Sequence, residues 1–475
     1  MRTLDRAIGD RVAEGVCSHH TRRLQRVGSD ALQAPAGGWA QDAPAPRPGT
    51  RLEVLIDGET ALRRMTEDIR AARSQVRMTG WFISPDFVMV EGERPVVVRD
   101  LLAETAGRVD LRVLLWAGAP APLFTPGRRL VRSVRDELRR AGVAKVALDS
   151  HERPMHCHHE KTIVIDDRVA YVGGIDLTAL AGDRRDSSHH RARAAVGWHD
   201  AAVRIEGSAV ADVAAHFAMR WSEVTGRPVE APGPVEPAGD LEVQVVTTCP
   251  EKVYGAVPRG WFGILESYMR AIRSAERLIY LESQYLWSPE IVATLADKLR
   301  NPPDDRFRLV VVLPARPYGG ADDTRGALGE LVDADDGNGR VLGCCLAARA
   351  GAVADPIYVH AKIGIVDDRW LTIGSANLND HSLFNDTEMN VVCHDPALAR
   401  DTRLRLWAEH LECDPADIDG DPADVIDERW RPIAEEQLER RRAGRPLTHR
   451  LVRLDHVSRR SERLLGPLQG LLVDG

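Results

Sequence analysis

No stretch of this 475-residue chain strings together the roughly 18 apolar residues that a membrane-crossing helix needs. The opening residues, MRTLDRAIGDRVAEG, bring acids early and hold no apolar segment of the kind an export signal carries. The expected location is therefore the cytoplasm, with peripheral attachment to a membrane as the alternative. Paired cysteines are missing as well. Cys17, Cys157, Cys249, Cys344, Cys345, Cys393 and Cys413 include no CxxC spacing, which points to reduced thiols in the core rather than to a disulfide frame. A basic surplus is absent too: the net charge of −8 argues against a chain that tracks nucleic acid, so no nucleic-acid partner is expected. Lysine is the scarcest item. Of 63 basic residues only Lys145, Lys161, Lys252, Lys298 and Lys362 are lysines, so each compact ammonium stands out against a background of arginine.

What is present is a repeat. At this length a single hydrophobic core seldom suffices, and two lobes are expected. Ile69-Arg-Ala-Ala-Arg-Ser74 returns as Met269-Arg-Ala-Ile-Arg-Ser274, each ending an amphipathic helical pattern and leading into an apolar run. Leu111–Trp116 and Leu309–Leu313 are short runs suited to buried strands. The repeat closes on His159-Glu-Lys-Thr-Ile-Val-Ile-Asp166 and His360-Ala-Lys-Ile-Gly-Ile-Val-Asp367, 201 residues apart. Helices alternating with buried strands predict an α/β fold: two tandem α-β-α lobes related by a pseudo-twofold, with mixed, largely parallel sheets. Composition divides the chain into an N-terminal helix with a Pro/Ala/Gly linker (1–49), a first lobe (50–225), a Pro-rich linker (226–239), a second lobe (240–415) and an arginine-rich tail (416–475). Leu4, Ile8 and Val12 suit the helix. Arg440, Arg441, Arg442, Arg459, Arg460 and Arg463 make the tail a solvated helix or a membrane-surface element.

The spacing His-x-Lys-x4-Asp carries chemistry. On a strand, positions i and i+2 share a face, so His159 projects with Lys161, and His360 with Lys362. Asp166 and Asp367 end those strands, where a carboxylate organises a turn or neighbouring side chains. With 16 histidines and five lysines, chance supplies roughly one hundredth of such a match. Two histidines from opposite lobes meet the needs of phosphodiester cleavage, one attacking in line and one protonating the leaving oxygen. The two lysines supply the electrostatic stabilisation, and neither a metal nor another cofactor is called for. Met155-His-Cys-His-His-Glu160 looks rich in metal ligands, but no second ligand group with zinc-like spacing accompanies it.

Small-residue turns follow each motif. In Gly173-Gly174-Ile-Asp176 and Gly374-Ser375-Ala-Asn377, glycines let backbone approach a phosphate, while Ser375 and Asn377 can donate to its oxygens. Glu388 is placed to hold the Nδ1 proton of His360; for His159 the matching acid is Asp183 or Asp186. Trp81, Phe82, Tyr285 and Trp287 lie at equivalent strand ends and either line a substrate pocket or belong to the core.

These residues resemble the phospholipase D superfamily. Beyond the two HxKx4D signatures, the likeness extends to HHEKTIVIDDRVAYVGGIDLT, WHDAAVRIEG, YLESQYL and VHAKIGIVDDRWLTIGSANLNDHSL, and covers roughly residues 50–415. It is nearest phospholipase D proper, though Ser283 stands where the family commonly has asparagine. The resemblance implies His159 as nucleophile forming a phosphohistidine and His360 as general acid, then base. Lys161, Lys362 and Asn377 would bind the phosphoryl oxygens. The implied substrate is a phospholipid at a membrane surface, hydrolysed or transphosphatidylated. Alternatives are a nuclease of the superfamily or a cardiolipin-synthase-like phosphatidyl transferase. With both motifs in one chain, a monomer is expected.

Overall fold

The computed structural model describes residues 2–120, 125–180, 182–191, 195–230, 232–317, 321–350 and 353–455. Each half of the repeat builds a seven-stranded sheet with the same order. In the first half the strands run Val146–Asp149, Asp110–Trp116, Gln75–Gly80, Thr162–Ile165, Val169–Gly173, Ala201–Gly207, Arg47–Ile56. In the second they run Val341–Ala350, Arg308–Val312, Leu278–Glu282, Ile363–Val366, Trp370–Gly374, Glu388–Cys393, Leu241–Cys249. The sheets are mixed: three outer strands per lobe are parallel, and the other pairings are antiparallel, so the parallel portion is smaller than the pattern of alternating helices suggested. The reason is local. Each His-Lys strand is followed by the tight turns Asp166-Asp167 or Asp367-Asp368, whose residues adopt positive φ of 51–54° and fold the chain straight back on itself.

The last strands of the two halves, Arg47–Ile56 and Leu241–Cys249, pair antiparallel and join the sheets edge to edge. Their facing valines, isoleucines and leucines merge into one apolar cluster that draws on both halves, from Val54, Val203 and Ile205 to Val245, Ile363 and Val391. The lobes are thus welded through a shared core, and whatever lies on the seam is held rigidly.

The flanking segments are less independent than composition suggested. The N-terminal helix, Arg2–Val27, is tied to the second half: Arg23 pairs with Glu251 at 2.7 Å and His20 stacks on Phe384 at 3.9 Å. The stretch read as a linker buries Ala34 and Ala40 in the core of the second half, and Gln244 hydrogen-bonds the Ala40 backbone in both directions. At the other end, Trp430 and Ala434 are fully buried, and Leu451–Arg453 adds an edge strand to Val341–Ala350. Arg442 ion-pairs with Asp455 at 2.6 Å; Arg459, Arg460 and Arg463 lie outside the described residues. Among the described residues no helix is long and apolar enough to cross a membrane.

Candidate active site

The two His-Lys pairs sit just upstream of their strands, which begin at Thr162 and Ile363, rather than within them. Each entry segment is received by the opposite half. The N–H groups of His159 and Glu160 both donate to the Thr387 carbonyl, at 2.9 and 3.0 Å. By the same pattern, those of His360 and Ala361 donate to the His199 carbonyl, at 2.8 and 3.0 Å. The residue following each acceptor is a carboxylate, and it faces the incoming histidine. His159 Nδ1 lies 2.9 Å from Glu388, and His360 Nδ1 lies 2.7 Å from Asp200.

The carboxylates are therefore exchanged between halves, and the sequence-based pairing is corrected. Glu388 serves His159, not His360. Neither Asp183 nor Asp186 reaches His159: Asp183 holds Arg185, and Asp186 holds the His190 ring at 2.9 Å. A residue following its own motif seemed the natural partner, but each motif is threaded into the other lobe, so its acid comes from there. Asp200 went unnoticed, although one signal was available: like Glu388, which opens the strand Glu388–Cys393, it stands at the start of an apolar strand run, just before Ala201–Gly207.

A carboxylate that accepts a hydrogen bond from Nδ1–H fixes the ring's orientation and the tautomer whose lone pair is on Nε2. Burial lifts the Glu388 carboxyl to about 8, against the pull of Lys161 and of the Ser375 and Ser382 hydroxyls that donate to it at 2.5 and 2.6 Å. Burial likewise lifts Asp200 to about 6, opposed by Lys362 and by the Ala201 N–H. His360 is held well below the usual imidazole range by burial, and further by the positive charges of Lys362, Arg184 and Lys161 and by His159. Both dyads lie where one half's entry segment meets the other half's strand end, at the Thr387 and His199 carbonyls.

Lys161 and Lys362 each donate to the carbonyl of their own histidine. Lys161 stands 3.4 Å from Asp176, and Lys362 stands 3.4 Å from Gln284, whose amide oxygen also accepts from Asn377 at 3.4 Å. His159, Lys161, His360, Lys362, Asn377, Glu388 and Asp200 are all buried. Each buried ammonium is held beside its histidine by that carbonyl, which fixes a positive charge next to each imidazole.

Other expected residues take different roles. Asp166 turns away from the site and accepts from the N–H groups of Arg73, Ser74 and Gln75 at 2.7–2.9 Å and from the Ser74 hydroxyl at 2.7 Å. Asp367 does the same with Glu276, Arg277 and Leu278. These aspartates pin the strand turn to the loop that leads from a helix into the adjacent strand, at the opposite end of the strand from the histidine. Ser375 is occupied as a donor to Glu388, so it positions a carboxylate instead of contacting a phosphate. The glycines also serve the acids: a Cβ on Gly174 would stand 2.1 Å from Asp200 Oδ1, so only glycine leaves that carboxylate room to reach His360.

Of the aromatics, Trp81 is buried in the first-half core and stacks on Trp116 at 6.2 Å. Tyr285 is buried beside the site, where its hydroxyl accepts from Gln284 at 3.1 Å, and it stacks on the half-buried Trp287 at 5.1 Å. Ser283 ties down the same loop through the Tyr285 carbonyl. Sequence reasoning passed over Trp198 and Arg184: the indole packs between the Arg184 guanidinium, 3.9 Å from its ring, and the His360 ring at 4.3 Å.

A family model described as Phospholipase D matches residues 351–447. Among curated proteins, phospholipase D A of Dictyostelium discoideum is 25% identical over 76% of this chain and 35% of its own length. Phospholipase D alpha 4 of Arabidopsis thaliana is 26% identical over 73% and 63% respectively. The major cardiolipin synthase ClsA of Bacillus subtilis is 25% identical over 74% and 66%. The chain thus spans from about a third to two thirds of these relatives. A solved phosphatidylserine synthase of Haemophilus influenzae shares the fold, with a TM-score of 0.52 at 15% identity over 81% of this chain and 89% of that one.

Proposed function

The chain belongs to the phospholipase D superfamily, and from that premise we propose that it cleaves phospholipid headgroup diesters through a phosphohistidine on His159. The observation that carries the reading is the exchanged pair of His–carboxylate dyads, each with a lysine beside it.

In this reading the diester anion seats among Lys161, Lys362 and Asn377. Its negative charge offsets the cations that depress His360, so His360 acquires a proton as substrate binds. His159, its Nδ1 proton held by Glu388, attacks phosphorus through Nε2. The phosphorus–oxygen bond to the headgroup breaks as His360 delivers its proton to that oxygen. His360 then removes a proton from water or an alcohol, which attacks the phosphohistidine and frees His159. Tyr285 and Trp287 line the approach on one side. Lysine charge carries the transition-state stabilisation. The protein would act as a monomer at a membrane surface, with phospholipid as its partner.

The test uses phosphatidylcholine vesicles with a primary alcohol, with His159→Ala as control. Phosphatidyl-alcohol from the wild type alone is the expected result. Cleavage of bis-p-nitrophenyl phosphate without any lipid product would move the substrate to another diester, such as nucleic acid. Joining of two phosphatidylglycerols would favour the cardiolipin-synthase-like transfer. Full activity in His159→Ala would overturn the covalent route.

A further inference from the structure

Four buried clusters of histidine and carboxylate lie within ligand distance of a common point among the described residues. Three are self-satisfied. His199 has Asp57 at 3.0 Å on one nitrogen and Glu282 at 2.8 Å on the other. His190 is bracketed likewise by Asp186 and Glu409. In both rings each nitrogen is already engaged by a carboxylate. His20 is engaged by Glu290 at 2.6 Å and lies flat on Phe384.

The fourth cluster is built differently. His156 and His381 point their Nδ1 atoms at each other, 3.0 Å apart. Asp386 closes the triangle, with Oδ1 3.4 Å from His156 Nδ1 and Oδ2 3.9 Å from His381 Nδ1. Two ring nitrogens at this distance share at most one proton, so at least one lone pair faces the centre. Asp386 is completely buried, and its Oδ2 accepts no hydrogen bond. Its other oxygen receives the Cys157 N–H at 2.8 Å, which fixes the carboxylate's aim. Ligand atoms on a tetrahedral zinc, with Zn–N bonds of about 2.0–2.1 Å, stand about 3.3 Å apart, a spacing that the nitrogen pair at 3.0 Å and the Asp386–His156 contact at 3.4 Å bracket.

We propose that His156, His381 and Asp386 form a binding site for one divalent transition-metal ion of the zinc class, with a fourth position open to solvent past His156. His156 is the one member with appreciable exposure, 17% of its side chain, which provides the entry path. The ligand group that looked incomplete around Met155–Glu160 is completed from the other half of the chain, 225 residues on. The ion would clamp the segment entering His159 to the turn His381–Asn385, whose Ser382 holds Glu388. It would act as a structural staple across the lobes, separate from the His159–His360 chemistry.

The test reads metal binding directly, so it stands apart from the lipid reading. Full-length protein without a histidine tag is stripped with chelator and titrated with Co²⁺ while the visible d–d band is recorded. One equivalent giving a tetrahedral band, displaced by Zn²⁺ and at least about 100-fold weaker in a folded His156→Ala and in His381→Ala, is expected. No band above that of aqueous Co²⁺ in the wild type would overturn the proposal. An undiminished band in folded His156→Ala would overturn it equally.

Discussion

The aspartates that end the two motifs offer the sharpest separation between a residue that reacts and one that holds shape. Asp166 accepts four hydrogen bonds from Arg73, Ser74 and Gln75. Three of the four are at exposed positions where water replaces a lost acceptor, so each is worth about 0.5 kcal/mol; the part-buried Gln75 N–H is worth about 1.5 kcal/mol to a charged acceptor. Asp166 also sits at φ 54°, a conformation that costs alanine about 1 kcal/mol more than aspartate or asparagine. Asp166→Ala should therefore destabilise the protein by about 4 kcal/mol and Asp166→Asn by about 2, since asparagine keeps the backbone preference and one acceptor. Urea unfolding followed by far-ultraviolet circular dichroism measures the loss. At a temperature where both variants are folded, turnover of bis-p-nitrophenyl phosphate should stay within a few-fold of wild type. A folded Asp166→Asn that has lost more than a hundredfold in kcat would refute the assignment of this carboxylate to the scaffold.

Two further outcomes follow from buried charge. Below about pH 8 the Glu388–His159 pair holds an extra proton, which places hydrogen on the attacking Nε2; kcat/KM should rise with pH as that proton leaves, with an apparent pKa near 8. Glu388→Gln should lower the rate by about 100-fold or more and flatten this limb, and a limb that persists in the variant would exclude Glu388 as its source. Arg220, fully buried between Glu160 at 2.5 Å and Asp149 at 2.6 Å, helps hold Glu160, with His216, at about 2 despite burial. A carboxyl depressed on folding contributes stability above its unfolded value of about 4.3, lost as pH falls toward 2 and amounting to about 3 kcal/mol. Arg220→Met should cost about 3–5 kcal/mol at neutral pH by stranding two buried carboxylates, and urea midpoints between pH 2 and 7 should show its acid dependence weakened.

The chain's sequence by itself determined the two halves and the residue types of the candidate site. A repeat of 201 residues, apolar runs of strand length and the two lysines retained beside histidine are properties of the primary order, and they led to two α/β lobes and one shared site. Which acid meets which histidine was decided in three dimensions. Glu388 lies closer in sequence to His360 than to His159, yet the strand carrying it lies on the seam between lobes, where the Thr387 carbonyl captures the other lobe's entry segment. Gly174 has its meaning for the same reason: the room it leaves is for a carboxylate that arrives through the tertiary fold. The mixed character of the sheets came from paired Asp turns whose positive φ no hydrophobic period reveals. His156 looked like half of a ligand set because His381 and Asp386 enter from the opposite half. Local order specifies strands and chemistry, because side-chain alternation and residue type are read along the chain. Partnership across a pseudo-twofold seam is set by packing, because only the merged core brings residues some 200 positions apart to within 3 Å of each other.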